Sequence, residues 1–262
     1  MRRARVAYAG ALHEAEPAGD ARIRLADGRV VAEDAVVWLP PFELGTVIAL
    51  GLNYADHAKE LSFAKQDEPL VFLKGPASLV GHRGETRRPA DTTFMHYECE
   101  LAVVIGKPAR NVPRARARDH VAGYTIANDY AVRDYLENWY RPNLRVKSRD
   151  GATALGPWLV DAADVEWPPA RSLATFVNGT QTQSGHTRDL VFDIAFLIEY
   201  LSAFMTLDAG DVILTGTPEG VVNVDVGDAV VCEIEGLGRL ANRIVGDETF
   251  GRVRADERGS RT

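Results

Sequence analysis

Cysteine is scarce in this chain: Cys99 and Cys232 are the only two in 262 residues, and they lack the spacing of a metal-binding or redox motif. Both lie in apolar, strand-like runs, so we interpret them as buried thiols and expect a reducing, cytoplasmic compartment. A basic start followed by a long apolar core is also missing, which argues against a signal peptide. The most apolar window, residues 190–207, contains Asp193 and Glu199 and is too polar to span a membrane.

An excess of positive charge is missing as well. The 30 lysines and arginines are outnumbered by 37 aspartates and glutamates, which gives a formal net charge of -7. This balance argues against a nucleic-acid partner or an acidic membrane surface. The length and the 46% content of hydrophobic residues are sufficient for one large domain, or for one domain with a small appendage.

Turn residues and composition divide the chain into three parts. Residues 1–40 contain short strand-like runs separated by Gly and Asp, and they predict a small N-terminal β segment. The paired prolines Pro40 and Pro41 favour an extended link into a main domain at 41–247. The tail at 248–262 is charged and poor in apolar residues, so we expect it to be loosely ordered.

The strand and helix patterns indicate an α+β fold. Many short apolar runs predict strands, whereas residues 193–204 form the one long stretch with apolar residues at helical spacing. This distribution disfavours a doubly wound parallel sheet. A mixed β-roll or sandwich with helical insertions fits better.

Two glutamates in a predicted strand are the first candidate metal ligands. Alternate residues of a strand share a face, so in a strand over residues 97–105 Glu98 and Glu100 point one way and Cys99 the other. Like charges beside an apolar strand are stabilised by a hard divalent cation with oxygen ligands. Asp129, at the end of an apolar segment, is the predicted third ligand. On spacing alone, a solvated strand face explains Glu98 and Glu100 equally well.

A histidine and a glutamate form the second candidate pair. A helix over residues 54–61, with Asn53 as its N-cap, places His57 and Glu60 three apart on one face. A carboxylate beside an imidazole raises its basicity and fixes its tautomer, as a general base requires. The polar flank at 61–69 is consistent with a lid that carries this helix. The alternative is an exposed helix face with an incidental pair.

Cations cluster downstream of these motifs. Arg145 and Lys147 flank Val146, which suggests an extended segment with both cations on one side, and Arg133 lies just upstream. Such a patch in an acidic protein suits an anionic substrate with more than one carboxylate, although a solvated face is the alternative. Lys74 ends a predicted strand and is either a rim charge or a further anion contact.

Residues 215–220 follow another predicted strand and are dense in glycines and hydroxyls. Backbone amides, such as that of Gly216, and the Thr217 hydroxyl are suited to binding a carboxylate, whereas a plain tight turn explains the pattern equally well. The segment lacks the Gly-Lys-Ser/Thr ending of a phosphate loop, which disfavours nucleotide binding.

Taken together, these motifs resemble the fumarylacetoacetate hydrolase family over roughly residues 45–247. The strongest is His-Tyr-Glu-Cys-Glu-Leu at 96–101, and the others occur in order at 51–60, 72–74, 128–129, 131–134, 147–148 and 214–218. The resemblance implies a mixed β-roll of the fumarylacetoacetate hydrolase type, usually dimeric. It also implies a Mg²⁺ or Mn²⁺ site, with Ca²⁺ as a possible substitute.

The resemblance also assigns roles to residues. It implies that the ion binds Glu98, Glu100 and Asp129, that His57 and Glu60 form a catalytic dyad on a lid, and that Lys147 and Arg133 contact the substrate. From the charge pattern we add Lys74, Arg145, Gly216 and Thr217 to the expected substrate contacts.

Residues 128–151 narrow the resemblance to the branch that isomerises and decarboxylates di- and tricarboxylic 2-oxo-alkenoates in 4-hydroxyphenylacetate degradation. Members of that branch carry two tandem copies, so we expect this chain to pair with itself or with a paralogous subunit. One departure concerns Leu136, since relatives that act on short acylpyruvates or oxaloacetate tend to have Gln there. Two alternatives remain: an acylpyruvate-type hydrolase or oxaloacetate decarboxylase on the same scaffold, and a non-catalytic supporting subunit.

Overall fold

The computed structural model describes residues 1–60, 67–136 and 144–247. The predicted tail at 248–262 and most of the predicted lid flank lie outside these residues. The α-helices within them are α1 (Ala55–Glu60), α2 (Leu144–Lys147) and α3 (Ile194–Phe204). The strands are β1 (Arg2–Tyr8), β2 (Ala11–Pro17), β3 (Arg22–Leu25), β4 (Val30–Ala32), β5 (Val37–Leu39), β6 (Val47–Gly51), β7 (Leu70–Lys74), β8 (Leu79–Val80), β9 (Glu85–Pro89), β10 (Met95–His96), β11 (Cys99–Ile105), β12 (Val121–Asp129), β13 (Ala131–Val132), β14 (Thr153–Asp161), β15 (Ser172–Val177), β16 (Thr180–His186), β17 (Val212–Leu214), β18 (Ala229–Ile234) and β19 (Gly238–Asp247).

Twelve of these strands form one large mixed sheet. Ten follow the order β4-β3-β2-β1-β14-β12-β11-β17-β6-β7, while β5 pairs with β1 and β8 pairs with β14. The pairs β17–β6 and β14–β8 are parallel and the other pairs are antiparallel. The N-terminal strand β1 joins the rest of this sheet through β14, with Arg3 opposite Leu159.

A second sheet has five strands in the order β16-β15-β18-β19-β9, and β10 and β13 form a separate two-stranded pair. Strands β15, β18 and β19 pack against β11, β12 and β14 of the large sheet. Two packed, mostly antiparallel sheets with few helices confirm the predicted α+β fold. No helix in the described part of the chain is long and apolar enough to cross a membrane.

Strand β11 separates two environments. Its residues Cys99, Leu101, Val103 and Ile105 belong to the main apolar core, as the period of two along a strand requires. Each fully buried aliphatic side chain of this kind contributes about 1.5–3 kcal/mol. Ala102 belongs to a different cluster of mostly small apolar residues on the opposite face. The prediction that Cys99 points away from its neighbouring glutamates is therefore confirmed.

Helix α3 begins and packs as its sequence predicts. The Asp193 carboxylate accepts a hydrogen bond from the Phe196 amide at 2.8 Å, which caps an otherwise unpaired helix N–H. Ile194, Leu197 and Leu201 repeat at helical spacing and are buried. The helix therefore covers one side of the main core.

We predict that Asp211→Ala lowers the free energy of unfolding by about 2 kcal/mol, because two backbone amides lose a buried acceptor. The Asp211 carboxylate, 4% exposed, accepts hydrogen bonds from the Thr46 amide at 2.6 Å and the Asp208 amide at 2.7 Å. These bonds hold the start of β17 beside β6. Urea denaturation measures the change, and Asp208→Ala, which removes an exposed carboxylate, is the matched control. Equal stability of the two variants would contradict the prediction.

Candidate metal and catalytic site

Three carboxylates converge where β11 begins and β12 ends. The two strands are antiparallel, with Glu100 opposite Ala127, and the Asp129 amide donates a hydrogen bond to the Glu98 carbonyl at 2.9 Å. Glu100 and Asp129 therefore share one face of the sheet, and Glu98 adjoins them. One oxygen from each of Glu98, Glu100 and Asp129 lies within 4.8 Å of the others.

Of the three carboxylates, Glu100 has the fewest positively charged or hydrogen-bonding partners among the described residues. It is fully buried; its Oε2 accepts a hydrogen bond from the Gly216 amide at 2.5 Å, and its Oε1 has no hydrogen-bond partner. Burial, together with the negative charges on Asp129 and Glu98, raises the pKa of Glu100 well above its usual range. A cation bound between the three carboxylates would reverse this effect.

Two buried lysines donate hydrogen bonds to carboxylates of the cluster. Lys147 Nζ donates to Glu98 Oε2 at 2.5 Å and to Asp129 Oδ2 at 2.9 Å, while Lys74 Nζ donates to Asp129 Oδ1. Burial alone would lower the pKa of Lys147, but Asp129, Glu98 and Glu100 raise it above its usual value. Burial does lower the pKa of Lys74, although Asp129 opposes this.

The same lysine and nearby cations keep Glu98 ionised. Burial alone would raise the pKa of Glu98, but Lys147, the His96 and His57 imidazoles and Arg133 lower it to about 2. The pKa shifts of Glu98 and Glu100 are therefore opposite in direction although the two belong to one cluster. That His57 and Arg133 both influence Glu98 places them around the same carboxylate.

The donor set fits a hard divalent ion. All three groups offer oxygen, which suits Mg²⁺, Mn²⁺ or Ca²⁺ better than Zn²⁺, for which nitrogen or sulfur is usual. The unpaired Glu100 Oε1 is an orphaned buried acceptor of the kind that a bound cation satisfies. The predicted ligands Glu98, Glu100 and Asp129 thus lie together and fit the predicted ion.

The dyad predicted on α1 forms a hydrogen bond. His57 Nδ1 lies 2.9 Å from Glu60 Oε2, and Glu60 Oε1 accepts a hydrogen bond from the Gly220 amide at 2.9 Å. The His57 side chain is 4% exposed, so it does not lie on a solvated helix face. Because the ionised carboxylate can only accept, Nδ1 carries the proton and Nε2 is left as the basic nitrogen.

The predicted N-cap role of Asn53 is wrong. Its side-chain amide donates to the Phe192 carbonyl at 3.1 Å and to the Thr215 carbonyl at 2.9 Å, while its oxygen accepts from the Phe192 amide at 2.8 Å. Asn53 instead ties the start of α1 to the loop that carries Gly216. Local spacing gave no signal for this role, because these partners are more than 130 residues away.

Two backbone amides of the loop at 215–220 donate hydrogen bonds to carboxylates of the protein itself. The Gly216 amide binds Glu100 and the Gly220 amide binds Glu60, so these two amides are already engaged. The Thr217 hydroxyl accepts a hydrogen bond from Gln183 Nε2 at 2.8 Å, which leaves its own proton for another acceptor. Gln183, which positions Thr217, was not predicted and has no recognisable motif.

The predicted extended segment around Arg145 is wrong. Residues 144–147 form helix α2, in which positions two apart point in nearly opposite directions. Lys147 therefore enters the carboxylate cluster, whereas the Arg145 guanidinium lies 4.2 Å from the centre of the Tyr135 ring. Val146, between them, is buried in the core beside Tyr135. Arg133, by contrast, has its Nη2 at 3.9 Å from Glu98 Oε1.

We predict that metal-free Glu100→Gln is more stable than the wild type at pH 8. Because the fold raises the pKa of Glu100, the stability that its protonated form contributes is complete below a pH near 4.5 and is lost as the pH rises toward the raised value. A neutral amide removes this loss. Thermal unfolding in EDTA at pH 4 and pH 8 measures the effect.

Added Mg²⁺ should reverse the order in the same assay, since the ion stabilises the three carboxylates of the wild type more than the variant. Glu85→Gln, which changes an exposed glutamate on β9, is the control. A Glu100→Gln protein that is less stable than the wild type in EDTA at pH 8 would disprove the interpretation.

Comparison with known proteins agrees with this geometry. Residues 46–245 match the family described as fumarylacetoacetate (FAA) hydrolase C-terminal. The 4-hydroxyphenylacetate degradation bifunctional isomerase/decarboxylase of Salmonella dublin is 57% identical over 226 residues, covering 84% of this chain and 52% of the relative. The homoprotocatechuate catabolism bifunctional isomerase/decarboxylase of Escherichia coli is 59% identical over 209 residues, covering 80% and 48%. The chain thus spans about half the length of these relatives.

Solved structures show the same fold. A 5-carboxymethyl-2-hydroxymuconate delta-isomerase from Mycobacterium smegmatis has a TM-score of 0.82 and 39% identity, covering 94% of this chain and 99% of that one. A fumarylpyruvate hydrolase from Pseudomonas aeruginosa, in complex with Mn²⁺ and pyruvate, has a TM-score of 0.74 and 34% identity, covering 79% and 91%. The chain belongs to the fumarylacetoacetate hydrolase family, an enzyme family whose relatives named above include isomerases, decarboxylases and a hydrolase.

Proposed function

We propose that this chain is a divalent-metal-dependent isomerase/decarboxylase acting on 2-oxo- or 2-hydroxy-alkenoates with two or three carboxylates, in the breakdown of aromatic acids such as 4-hydroxyphenylacetate. The observation that carries the proposal is the convergence of Glu98, Glu100 and Asp129 beside a buried lysine and a histidine–glutamate dyad. The names of the Salmonella dublin and Escherichia coli relatives support this substrate class.

A divalent ion held by the three carboxylates would supply Lewis acidity that polarises a chelated 2-oxo acid. Lys147 adds a positive charge at the edge of this cluster, 2.5 Å from Glu98 Oε2. Its ammonium is positioned to stabilise negative charge that develops on the substrate oxygen when a carboxylate leaves as carbon dioxide. Lys74 keeps Asp129 in place from the other side and is itself fully buried, so we assign it a positioning role.

The dyad supplies the proton transfer that isomerisation requires. His57 Nε2 accepts a proton from one carbon of the substrate and returns it to another, while Nδ1 remains hydrogen-bonded to Glu60 Oε2. The Gly220 amide holds Glu60 in turn, which fixes the plane of the imidazole. In decarboxylation a proton replaces carbon dioxide on the substrate carbon, and His57 Nε2 would take that proton from water and deliver it there.

Arg133 and Thr217 are the side chains that we assign to the substrate carboxylates. Arg133 is partly exposed beside Glu98, and the Thr217 hydroxyl retains its proton because Gln183 donates to its oxygen. We leave Arg145 out of this set, since its guanidinium packs over the Tyr135 ring.

A hydrolase of acylpyruvates is the second candidate, supported by the likeness to the fumarylpyruvate hydrolase from Pseudomonas aeruginosa. In that reaction His57 would activate water instead of moving a proton between carbons. Leu136, 39% exposed, stands where relatives that act on short acylpyruvates tend to have Gln, and its side chain cannot hydrogen-bond a water molecule. Carbon dioxide release against release of a cleaved acid, measured on matched substrates, separates the two reactions.

We predict that Glu98→Gln abolishes turnover because it removes one of three charged ligands. The purified chain is assayed with Mg²⁺ against a panel of 2-oxo-alkenoates, and Mn²⁺ binding and circular dichroism are measured in parallel. The variant should keep the fold and lose metal affinity, whereas Glu85→Gln should match the wild type. Full activity of Glu98→Gln, or of metal-stripped wild type, would remove the ion from the reaction.

We predict that His57→Ala lowers kcat by about 10²–10⁴-fold, as is typical for loss of a general base, with much less change in Mn²⁺ affinity. Glu60→Gln should lower kcat less, because the imidazole remains but loses its orienting carboxylate. Titration with Mn²⁺ and steady-state kinetics on the same preparations provide the two readouts. Equal loss of kcat and of metal affinity in His57→Ala would argue against a base.

A further inference from the structure

His96 is fully buried next to the proposed site, and the proposed chemistry does not use it. It ends β10, which pairs with β13 so that His96 lies opposite Ala131, two residues before Arg133. The backbone amide of Arg133 also donates to the Phe94 carbonyl at 2.9 Å. The two-stranded pair therefore holds the imidazole and the guanidinium side by side.

The hydrogen bonds of His96 define its tautomer. Arg133 Nε lies 2.8 Å from His96 Nε2, and because a guanidinium can only donate, Nε2 must be the acceptor. The proton of the neutral ring is then on Nδ1, which donates to the Tyr97 carbonyl at 3.1 Å. The Phe94 ring packs against the imidazole with 5.7 Å between ring centres. The Tyr97 carbonyl and the Phe94 ring thus fix His96 independently of its contact with Arg133.

The hydrogen bond from Arg133 Nε to His96 leaves the two Nη groups of the guanidinium available to a ligand. Arg133 uses Nε on His96, its Nη2 is 3.9 Å from Glu98 Oε1, and its side chain is 21% exposed. Among the contacts of the described residues, neither Nη group makes a hydrogen bond. Two Nη groups in one plane match the two oxygens of a carboxylate.

The geometry points to His96 as a positioning residue: it accepts the Nε–H of Arg133 and so directs both Nη groups toward a carboxylate of the substrate. This inference rests on the proposed function in that it assigns the binding of a polycarboxylic 2-oxo acid to the same site. Without the acceptor at Nε2, the Arg133 side chain would be free to rotate toward Glu98, which competes for it.

The test compares two substitutions of similar size. His96→Gln keeps an acceptor near the position of Nε2, and His96→Leu removes it. Calorimetry on the Mg²⁺-loaded protein measures the Kd of 2-oxoglutarate, which has a second carboxylate, and of 2-oxobutyrate, which does not. We expect His96→Leu to raise the Kd of 2-oxoglutarate about tenfold, the scale of one charge-assisted hydrogen bond, and His96→Gln to restore most of it.

The double variant decides whether His96 acts through Arg133. In an Arg133→Ala background, His96→Leu should change the Kd by no more than about twofold, because the coupled effects of neighbours are not additive. If His96→Leu weakens the binding of 2-oxoglutarate alone, Arg133 is assigned to the second carboxylate. If it weakens the binding of 2-oxobutyrate equally, Arg133 is assigned to the carboxylate next to the ketone. His120→Leu, at a histidine whose contact is the Lys107 carbonyl at 3.4 Å, is the matched control.

Three outcomes would overturn the inference: an unchanged Kd in His96→Leu, an equal effect of His96→Leu with and without Arg133, or loss of Mn²⁺ binding in His96→Leu. Loss of Mn²⁺ binding would mean that His96 positions the metal-binding carboxylates and not Arg133. Nitrogen NMR of the histidine ring tests the contact without any ligand, since Nδ1 must be protonated and Nε2 must be an acceptor. Ligand binding without turnover of any 2-oxo-alkenoate would refute the proposed function while leaving this test valid.

Discussion

The site is organised by a charge imbalance that the fold buries. Glu98, Glu100 and Asp129 lie together out of solvent. Within the described part of the chain, Lys74 and Lys147 are the two lysines hydrogen-bonded to them, so one negative charge has no lysine counter-charge there. Burial of an uncompensated carboxylate costs several kcal/mol, which a protein avoids by protonation or by binding a cation. The raised pKa of Glu100 is the first response, and a hard divalent ion is the second.

The period of a β-strand makes this arrangement possible without exposing the core. Along β11, Cys99 and Leu101 enter the main core while Glu100 and Ala102 face the other way. The carboxylates therefore stand at the end of a floor of small apolar side chains, which keeps the local dielectric low. In such surroundings Lys147 and the dyad would act on the proposed substrate more strongly than they would in water.

Local patterns predicted the parts of the site that depend on local geometry. His57 and Glu60 could be paired from helix spacing, because one helix holds both. Glu98 and Glu100 could be paired from strand alternation, although β11 begins at Cys99 and Glu98 directly precedes it. The same reasoning failed for Arg145, since no signal distinguished a short helix from an extended segment. It also missed Asn53 and Gln183, whose partners are fixed by tertiary packing. The α+β fold class, by contrast, followed from many short strands and a single long helix.

Glu98 contacts both the carboxylate cluster and the pair formed by His96 and Arg133. One of its oxygens contacts Lys147 within the carboxylate cluster, and the other faces His96 and Arg133 at 3.7 and 3.9 Å. A change in the cluster would thus reach Arg133, the proposed substrate contact, through a single side chain. For the proposed polycarboxylate substrate, the few cations of this acidic protein are arranged around a carboxylate whose charge a bound metal ion would offset. A divalent ion held by the three carboxylates would weaken the attraction of Glu98 for Arg133, whose guanidinium would then be available to the proposed substrate.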